Sequence, residues 1–264
     1  VDSYEMIDGS KFSWDNPEHK AEPYKNRDPR FYACVLYDGA KWRQRPDDVI
    51  GSDPEGIVQT GFYENANGSY NPGLDTRQGP IEDWNGTYTG YYMRKFNNYK
   101  SGIGQDADGL MRIYRLAELY LNFAEAAYQA VGPDIPVVSK VGAESLSARD
   151  AINKIRVRVG MPELSAGMSK EIFEKRYRNE RRVELAFEEH RFFDVRRWKI
   201  LTETDDFVTG MKIVKEADGS FTYNRIKLAS RGTNTDKYLL YPIKQSEVAK
   251  MLKHTGADWQ NPGW

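Results

Sequence analysis

The sequence RNERRVELAFEEHRFFDVRRW, residues 178–198, decides the fold of this chain. Glutamate and arginine alternate in it, and apolar residues recur between them at helical spacing. The pattern predicts a helical stretch over residues 169–200, with a kink near His190. Charges of both signs on one helix are typical of helices that form ion pairs with their neighbours.

Two carboxylates of this stretch, Glu180 and Glu184, lie one turn apart and share a helix face with Arg176 and Phe187. A pair of carboxylates could serve acid–base catalysis. Arginine or lysine surrounds each of them in the sequence, however, and would hold both carboxylates in the ionised form. The sequence therefore favours an ion-pair network that fixes adjacent helices, and we assign no catalytic residue.

Two further helices are predicted upstream, and together they form an antiparallel pair. The first begins at Leu110 and runs for about 20 residues. The second begins at Ser147, which is the expected N-cap, and ends at Gly160. The pair resembles one tetratricopeptide unit, although no regular repeat follows it. The first helix presents an apolar face with small residues that would let a partner helix approach closely: Ile113, Leu116, Ala117, Tyr120, Ala124 and Ala127.

The first 109 residues differ from the helical part, because turn-forming Gly, Pro, Asn and Asp pairs interrupt any long helix. One strand is predicted, over residues 31–37. Aromatic residues are dense here, and aromatic rings can stack on the apolar C–H faces of sugars. We expect a ligand-binding site made of the three tryptophans that lie among polar residues and of one tyrosine: Trp14, Trp42, Trp84 and Tyr88.

The last part of the chain is predicted to contain only short elements, which close the fold. A hairpin is predicted around the turn Asp218-Gly219, followed by a buried extended segment over 238–243 and a short helix over 246–253. The expected organisation is therefore a loop-rich, ligand-facing region over 1–109, a tetratricopeptide-like helical region over 110–200 and a C-terminal hairpin and closing segment over 201–264. The fold class is mainly α, with short β-hairpins.

Composition excludes several classes of function. The 38 basic and 39 acidic residues leave a formal charge of −1, which excludes a nucleic-acid binder driven by bulk charge. A single cysteine, Cys34, excludes a disulfide framework and a multi-cysteine metal site. The sequence contains no phosphate-loop or dinucleotide motif, and the three histidines lie far apart. We expect neither a metal nor a cofactor.

The chain begins with Val1-Asp2-Ser3 and has no signal peptide, so we expect it to be a fragment or a processed product.

Residues 178–198 closely resemble the signature of the SusD/RagB family, the outer-membrane nutrient-binding lipoproteins of Bacteroidetes. One departure is Glu189, where the family often has glycine, and it affects only the local helix bend. Other stretches resemble the family in the same order: YEMIDG (4–9), NRDPRF (26–31), TGYYMRK (89–95), RLAELYLNFAEA (115–126), IRVRVGMP (155–162), YPI (241–243) and QNPG (260–263).

The resemblance implies packed tetratricopeptide-like helix pairs beside an irregular subdomain that carries the ligand face. It implies glycan binding without catalysis, at the bacterial cell surface, for import through a SusC-like TonB-dependent transporter. It also implies that the chain is the C-terminal half of a longer protein whose missing N-terminal half carries the lipidated cysteine. Cys34 lies in mid-chain and does not fit that role.

Two alternatives remain at this point. A carbohydrate-active hydrolase would need two carboxylates about 5–9.5 Å apart across a cleft. Glu82 and Asp83, beside Trp84, are the nearest candidates, and nothing in the sequence pairs them with a partner. A peptide-binding helical-repeat adaptor would use a groove within 110–200 instead.

Overall fold

Helices and short strands alternate along the part of the chain that the computed structural model describes, which comprises residues 1–43, 45, 51, 53–65, 67–80, 86–97, 112–138, 145–204, 206–232 and 235–264. The helices are α1 (Pro17–Ala21), α2 (Pro29–Cys34), α3 (Leu116–Val131), α4 (Ala148–Arg158), α5 (Lys170–Glu184), α6 (His190–Arg197) and α7 (Gln245–Thr255). The strands are β1 (Val35–Leu36), β2 (Phe62–Glu64), β3 (Tyr70–Pro72), β4 (Tyr92–Met93), β5 (Val137–Val138), β6 (Ser145–Leu146), β7 (Phe207–Lys215) and β8 (Phe221–Ser230). The predicted combination of helices with short strands is confirmed, whereas tetratricopeptide-like stacking stays a prediction.

The described residues divide into two units. One comprises Val1–Phe187 and Gly210–Arg225, and the other comprises Glu188–Thr209 and Ile226–Trp264. The predicted division at residues 109 and 200 stays a prediction.

The strand predicted over residues 31–37 is wrong for its first four residues, which are helical. Pro29 occupies the first turn of α2, and the Asp28 side chain accepts a hydrogen bond from the backbone N–H of Arg30. A proline in the first turn and an aspartate cap both favour a helix, and this local signal overrides the β propensity of the apolar run. Only Val35–Leu36 form a strand, which pairs antiparallel with β4.

Helix α3 packs against α4 and α5 in the first unit. The predicted contact through small residues is confirmed, since Ala117, Ala124 and Ala127 of α3 are all buried. The helix starts later than predicted, however, because Arg115 has an extended backbone and is its N-cap. Leu116 is consequently 62% exposed, and the buried face is completed by Leu121 instead.

The ends of α4 agree with the sequence. The Ser147 hydroxyl accepts a hydrogen bond from the Asp150 N–H at 3.1 Å, as expected of an N-cap. At the other end Gly160 has a φ of +77°, and the N–H of Met161 returns to the Arg156 carbonyl at 2.9 Å. Glycine adopts this left-handed conformation without a steric penalty, so the helix ends where the Gly-Met-Pro sequence predicts.

The predicted kink near His190 is a break between two helices. Helix α5 ends at Glu184, and Phe187 and Glu189 both have a φ of +64° before α6 begins. This left-handed region favours glycine, so the backbone is strained at both residues.

A four-stranded sheet of order β3-β2-β7-β8 connects distant parts of the sequence. Strand β2 pairs antiparallel with β3 and parallel with β7, so Phe62 lies opposite both Pro72 and Val214. The predicted hairpin is confirmed, since β7 and β8 flank the turn at Asp218, and Gly219 has a φ of +86°.

The core of the first unit is aromatic. It lies where α2, β1, α5 and β7 meet, and Trp14 and Tyr37 are among the half-buried rings packed around it. Its buried members are Tyr4, Tyr24, Phe31, Cys34, Val35, Val183, Met211 and Ile213.

The second unit has a small core of its own, in which Val195, Ile200 and Leu201 are packed by Trp198 and Tyr238. The predicted short helix is confirmed as α7. The predicted buried extended segment over 238–243 is wrong, because the chain forms a 3-10 turn over Asp236–Leu239 and then exposes Leu240 and Tyr241. The Trp264 indole N–H donates to the Leu240 carbonyl at 3.2 Å.

Within the described residues, no helix has both the length and the apolar character needed to cross a membrane.

Candidate functional site

A buried ion-pair network lies at the base of the loop-rich region, as the sequence of α5 predicts. Glu180 is 2% exposed and Glu184 is 4% exposed. Arginine–carboxylate contacts of 3.0 Å or shorter form its centre: Arg30–Glu180, Arg156–Glu180, Arg30–Glu184, Arg115–Glu184 and Arg158–Glu184. The network is therefore structural, and every oxygen of the two carboxylates is occupied by a guanidinium.

The pKa of Glu184 reflects this environment. Burial by itself would raise the pKa, but the hydrogen bond from Arg115 and the charges of Arg30 and Arg158 outweigh it, and the pKa of Glu184 is lowered. The carboxylate stays ionised and is a poor general base.

The network holds the loop-rich region against the helices. Arg30 belongs to α2 and also pairs with Asp28 at 2.7 Å, whereas its partners Glu180 and Glu184 belong to α5. Because α2 leads directly into β1 and the segment 37–42, the ion pairs fix the start of the loops that carry Trp42.

Trp42 is positioned by a short antiparallel ladder. Val58 donates its N–H to the Ala40 carbonyl at 2.9 Å, and Trp42 donates its own N–H to the Gly56 carbonyl at 2.9 Å. The half-buried indole packs against the small cluster of Leu36, Ala40 and Val58. The Arg94 guanidinium carbon lies 5.5 Å from the centre of the indole. The indole thus packs on this cluster and has a cation over it.

The Asp75 carboxylate connects the backbone segments next to this ladder through hydrogen bonds. Its two carboxylate oxygens accept hydrogen bonds from Arg45, both at 2.7 Å, and Arg45 also binds Asp53 at 2.8 Å. The same carboxylate accepts the N–H of Gln59 at 2.8 Å. A bidentate arginine pair fixes two backbone segments together, so Arg45, three residues after Trp42, is attached to the segment that contains Asp75.

Tyr92 connects the Asp75 segment to the segment that carries Tyr88. Its hydroxyl donates to the Asp75 carbonyl at 2.6 Å and accepts the N–H of Thr87 at 3.0 Å. Burial raises the pKa of Tyr92, so the hydroxyl keeps the proton that it donates. Because Tyr92 also packs on the cluster beneath Trp42, one contact path joins the two predicted rings.

Backbone pairing sets the geometry of Tyr88. Thr76 pairs in parallel with Thr87, which brings Arg77 beside Tyr88. A Cβ on Gly86 would lie 2.5 Å from the Arg77 nitrogen, so only glycine permits this approach. The Arg77 guanidinium carbon lies 4.2 Å from the Tyr88 ring centre, and Tyr88 is 68% exposed.

We call Trp42, Tyr88, Arg77 and Arg94 the arginine–ring surface. Each of its two aromatic rings has a guanidinium over it, and its loops are held by ion pairs and backbone hydrogen bonds. Aromatic faces pack on apolar C–H groups, and guanidinium groups donate to oxygen acceptors. This combination is suited to a ligand that carries both kinds of group, such as a sugar.

A family model described as the SusD family matches residues 1–264. The chain belongs to the SusD family. It is similar to a solved SusD-like protein from Bacteroides fragilis, with 28% identity and a TM-score of 0.71 over 100% of this chain. A second structure from the same species is described as a SusD-like carbohydrate binding protein. It has 24% identity and a TM-score of 0.57 over 93% of this chain, and it supports the fold alone.

This SusD-family chain covers 46% of the first relative and 45% of the second, and so spans about half the length of the structural relatives that it matches. No curated protein matches the sequence.

The four predicted site residues have different surroundings in this SusD-family chain. Trp42 and Tyr88 belong to the arginine–ring surface. Trp14 is half-buried and packs around the aromatic core, with the Phe12 ring centre at 5.0 Å, and its indole N–H donates to Asp2 at 3.2 Å. Trp84 lies outside the described residues. The site assignment as a whole stays a prediction.

Sequence reasoning missed the two arginines of the surface. Arg77 stands near the turn Gly79-Pro80, and Arg94 stands among tyrosines, where nothing in the order of residues marks either as a ring partner. A signal could have come from Gly86, since a glycine beside aromatic residues can mark a close backbone approach. Among the described residues, no group of His, Cys, Asp and Glu could hold a metal ion.

Proposed function

We propose that this chain binds a glycan without catalysis, as part of a nutrient-binding protein on the outer surface of a bacterium. The observation that carries the proposal is the arginine–ring surface in a SusD-family chain. Glycan binding is also what the resemblance of residues 178–198 to the SusD/RagB signature implies.

Binding would use stacking and hydrogen bonding together. A pyranose ring stacks on Trp42 or Tyr88, and its hydroxyl oxygens accept hydrogen bonds from Arg94 and Arg77. Because the contacts of Asp75 brace both loops, little conformational entropy is lost when the ligand binds.

The carboxylates around the surface favour binding over hydrolysis. Asp53 and Asp75 both pair with Arg45, and Glu180 and Glu184 are enclosed by arginines. A glycosidase needs one carboxyl group that can protonate the leaving group, and ion pairs with arginine oppose that. The candidates Glu82 and Asp83 lie outside the described residues, so the hydrolase remains the alternative.

The transport partner of the parent protein and its location in the cell are also proposals, and they rest on the family resemblance. The parent protein is anchored to the outer membrane by a lipidated cysteine, and it passes the glycan to a SusC-like TonB-dependent transporter.

The exposed face of α3 supports the idea that further helices pack beside it. Leu116 is 62% exposed and Leu119 is 51% exposed, and they begin a stripe at helical spacing that continues through half-buried Phe123 and exposed Ala126. An apolar stripe of this kind is typical of a helix with a partner on that side. We propose that helices of the parent protein cover it in a tetratricopeptide-like stack.

The test is a glycan array with the protein, followed by titration of the glycans that bind. We expect Trp42→Ala to weaken binding about thirtyfold, since one stacking ring at the centre of a site is worth about 2 kcal/mol. The control is Trp259→Ala, which removes an exposed indole from the second unit and should leave the affinity unchanged.

Two outcomes contradict the proposal. Shortened oligosaccharides after incubation identify a hydrolase. Binding of peptides by a protein that ignores every glycan identifies a helical-repeat adaptor with its groove in 110–200.

A further inference from the structure

Arg94 differs from the other buried and half-buried arginines that position the site. Arg30 and Arg156 each pair with two or more carboxylates, and Arg45 pairs with Asp53 and Asp75. In the described part of the chain, no carboxylate forms an ion pair with Arg94.

The contacts of Arg94 leave its positive charge uncompensated. One amino group donates to the Tyr32 carbonyl at 3.0 Å, and the guanidinium lies over the Trp42 ring. A carbonyl and an aromatic ring orient a guanidinium but carry no net charge. Because the side chain is only half-buried, its remaining N–H groups can reach a ligand that is stacked on Trp42.

The described carboxylates of the neighbouring loops have partners other than Arg94. Asp53 and Asp75 both pair with Arg45, and neither forms an ion pair with Arg94. Arg77 adds a second guanidinium over Tyr88, at 4.2 Å from the ring centre. A guanidinium matches the planar oxygens of carboxylate and sulfate groups, which accept two parallel hydrogen bonds from it.

We propose that the arginine–ring surface recognises an acidic oligosaccharide. A uronate carboxylate or a sulfate group binds Arg94, while the sugar ring that carries it, or the neighbouring one, stacks on Trp42. The proposal rests on the glycan-binding function proposed above and adds the charge of the ligand.

The experiment compares glycans that differ only in charge. The panel contains oligogalacturonate with its methyl ester, alginate with its carboxyl-reduced form, and chondroitin sulfate with desulfated chondroitin, together with neutral glucans, mannans, xylans and galactans. We expect the best acidic glycan to bind about tenfold tighter than the counterpart that lacks the recognised charged group, the gain of one charge-assisted hydrogen-bonded pair. The difference should shrink as NaCl rises from about 0.05 to 0.5 M, because salt screens partly exposed charges.

Arg94→Gln tests the residue itself. It should lower the affinity for the acidic glycan to that for the neutral counterpart, with little change for the neutral glycan. Arg94→Lys keeps the positive charge but loses the planar pair of N–H donors. The variant should therefore retain part of the preference for acidic glycans. The control is Arg196→Gln in the second unit, where the guanidinium carbon also lies over an exposed ring, 3.5 Å from the centre of Phe192. This variant should keep the full preference.

The paired glycans show whether the group that binds Arg94 is a sulfate or a carboxylate. Loss of binding on desulfation assigns a sulfate, and loss on esterification or carboxyl reduction assigns a uronate. Neutral glycans that bind as tightly as acidic ones, or a preference that survives in folded Arg94→Gln, overturn the inference alone. If neither acidic nor neutral glycans bind, both this inference and the proposed glycan-binding function are wrong. The salt dependence of the unmodified protein decides the question even if the variant does not fold.

Discussion

The buried network around Glu184 and the arginine–ring surface around Trp42 both consist of arginines that lie against planar groups. In the network the planar groups are carboxylates, and each arginine forms an ion pair with at least one of them. In the surface they are aromatic rings, which lie under the guanidinium groups of Arg77 and Arg94. The comparison teaches that this chain orients arginines in two ways, with carboxylates as for Arg30 or with a backbone carbonyl and an aromatic ring as for Arg94.

Removal of one carboxylate from the network should have the largest effect. Glu184→Ala removes the buried carboxylate that Arg30, Arg115 and Arg158 share. We expect a loss of about 3–5 kcal/mol in the free energy of unfolding, measured by urea denaturation. Glu22→Ala is the control, since it removes an exposed ion pair with Lys25 and should cost less than about 1 kcal/mol. Equal stability of the two variants would contradict a structural role for the network.

The pH dependence sharpens this test. The folded pKa of Glu184 lies below its ordinary value of 4.5, so its contribution is complete above pH 4.5 and is lost as pH falls through the folded value. Glu184→Gln mimics the protonated carboxyl. The stability difference between the natural protein and this variant should therefore narrow below pH 4.5, and a constant difference would show that charge is not the cause.

The two described tryptophans of the predicted site allow a smaller and more specific test. Trp14 packs edge-on against Phe12 and donates to Asp2, so Trp14→Ala should lower the free energy of unfolding by about 2 kcal/mol. It should leave glycan affinity unchanged, whereas Trp42→Ala should weaken binding. Thermal melts and titrations of both variants check this. A loss of affinity in Trp14→Ala with unchanged melting would move the site toward Trp14.

The smallest effect concerns the break between α5 and α6. Glu189 has a φ of +64°, a conformation that costs a non-glycine residue about 1 kcal/mol. Glu189→Gly should therefore stabilise the protein by about 0.5–1 kcal/mol, measured as a rise in melting temperature. The same substitution at Lys199, with a φ of +55°, should have the same sign. A fall in melting temperature at both positions would show that the side chains contribute more than the strain costs.

The sequence predicted those features that depend on neighbours a few residues away. The N-cap at Ser147, the turn at Asp218-Gly219 and the alternation of charges on α5 all appear in the structure where the sequence places them. Failures occurred where two local signals compete. Residues 31–34 have β propensity but follow an aspartate cap and a proline, and the helix forms.

Only the tertiary structure decided which residues meet. Arg30 and Glu180 are 150 positions apart, and no local pattern selects one among many arginines as the partner of a given carboxylate. The candidate site is of the same kind, because Arg77 reaches Tyr88 only through the backbone pairing of Thr76 with Thr87. Helices, caps and turns are stabilised by interactions within a few residues and can be predicted from the order of amino acids. Ion-pair partners and ring contacts depend on how distant segments pack, so they follow from the fold and not from the sequence order.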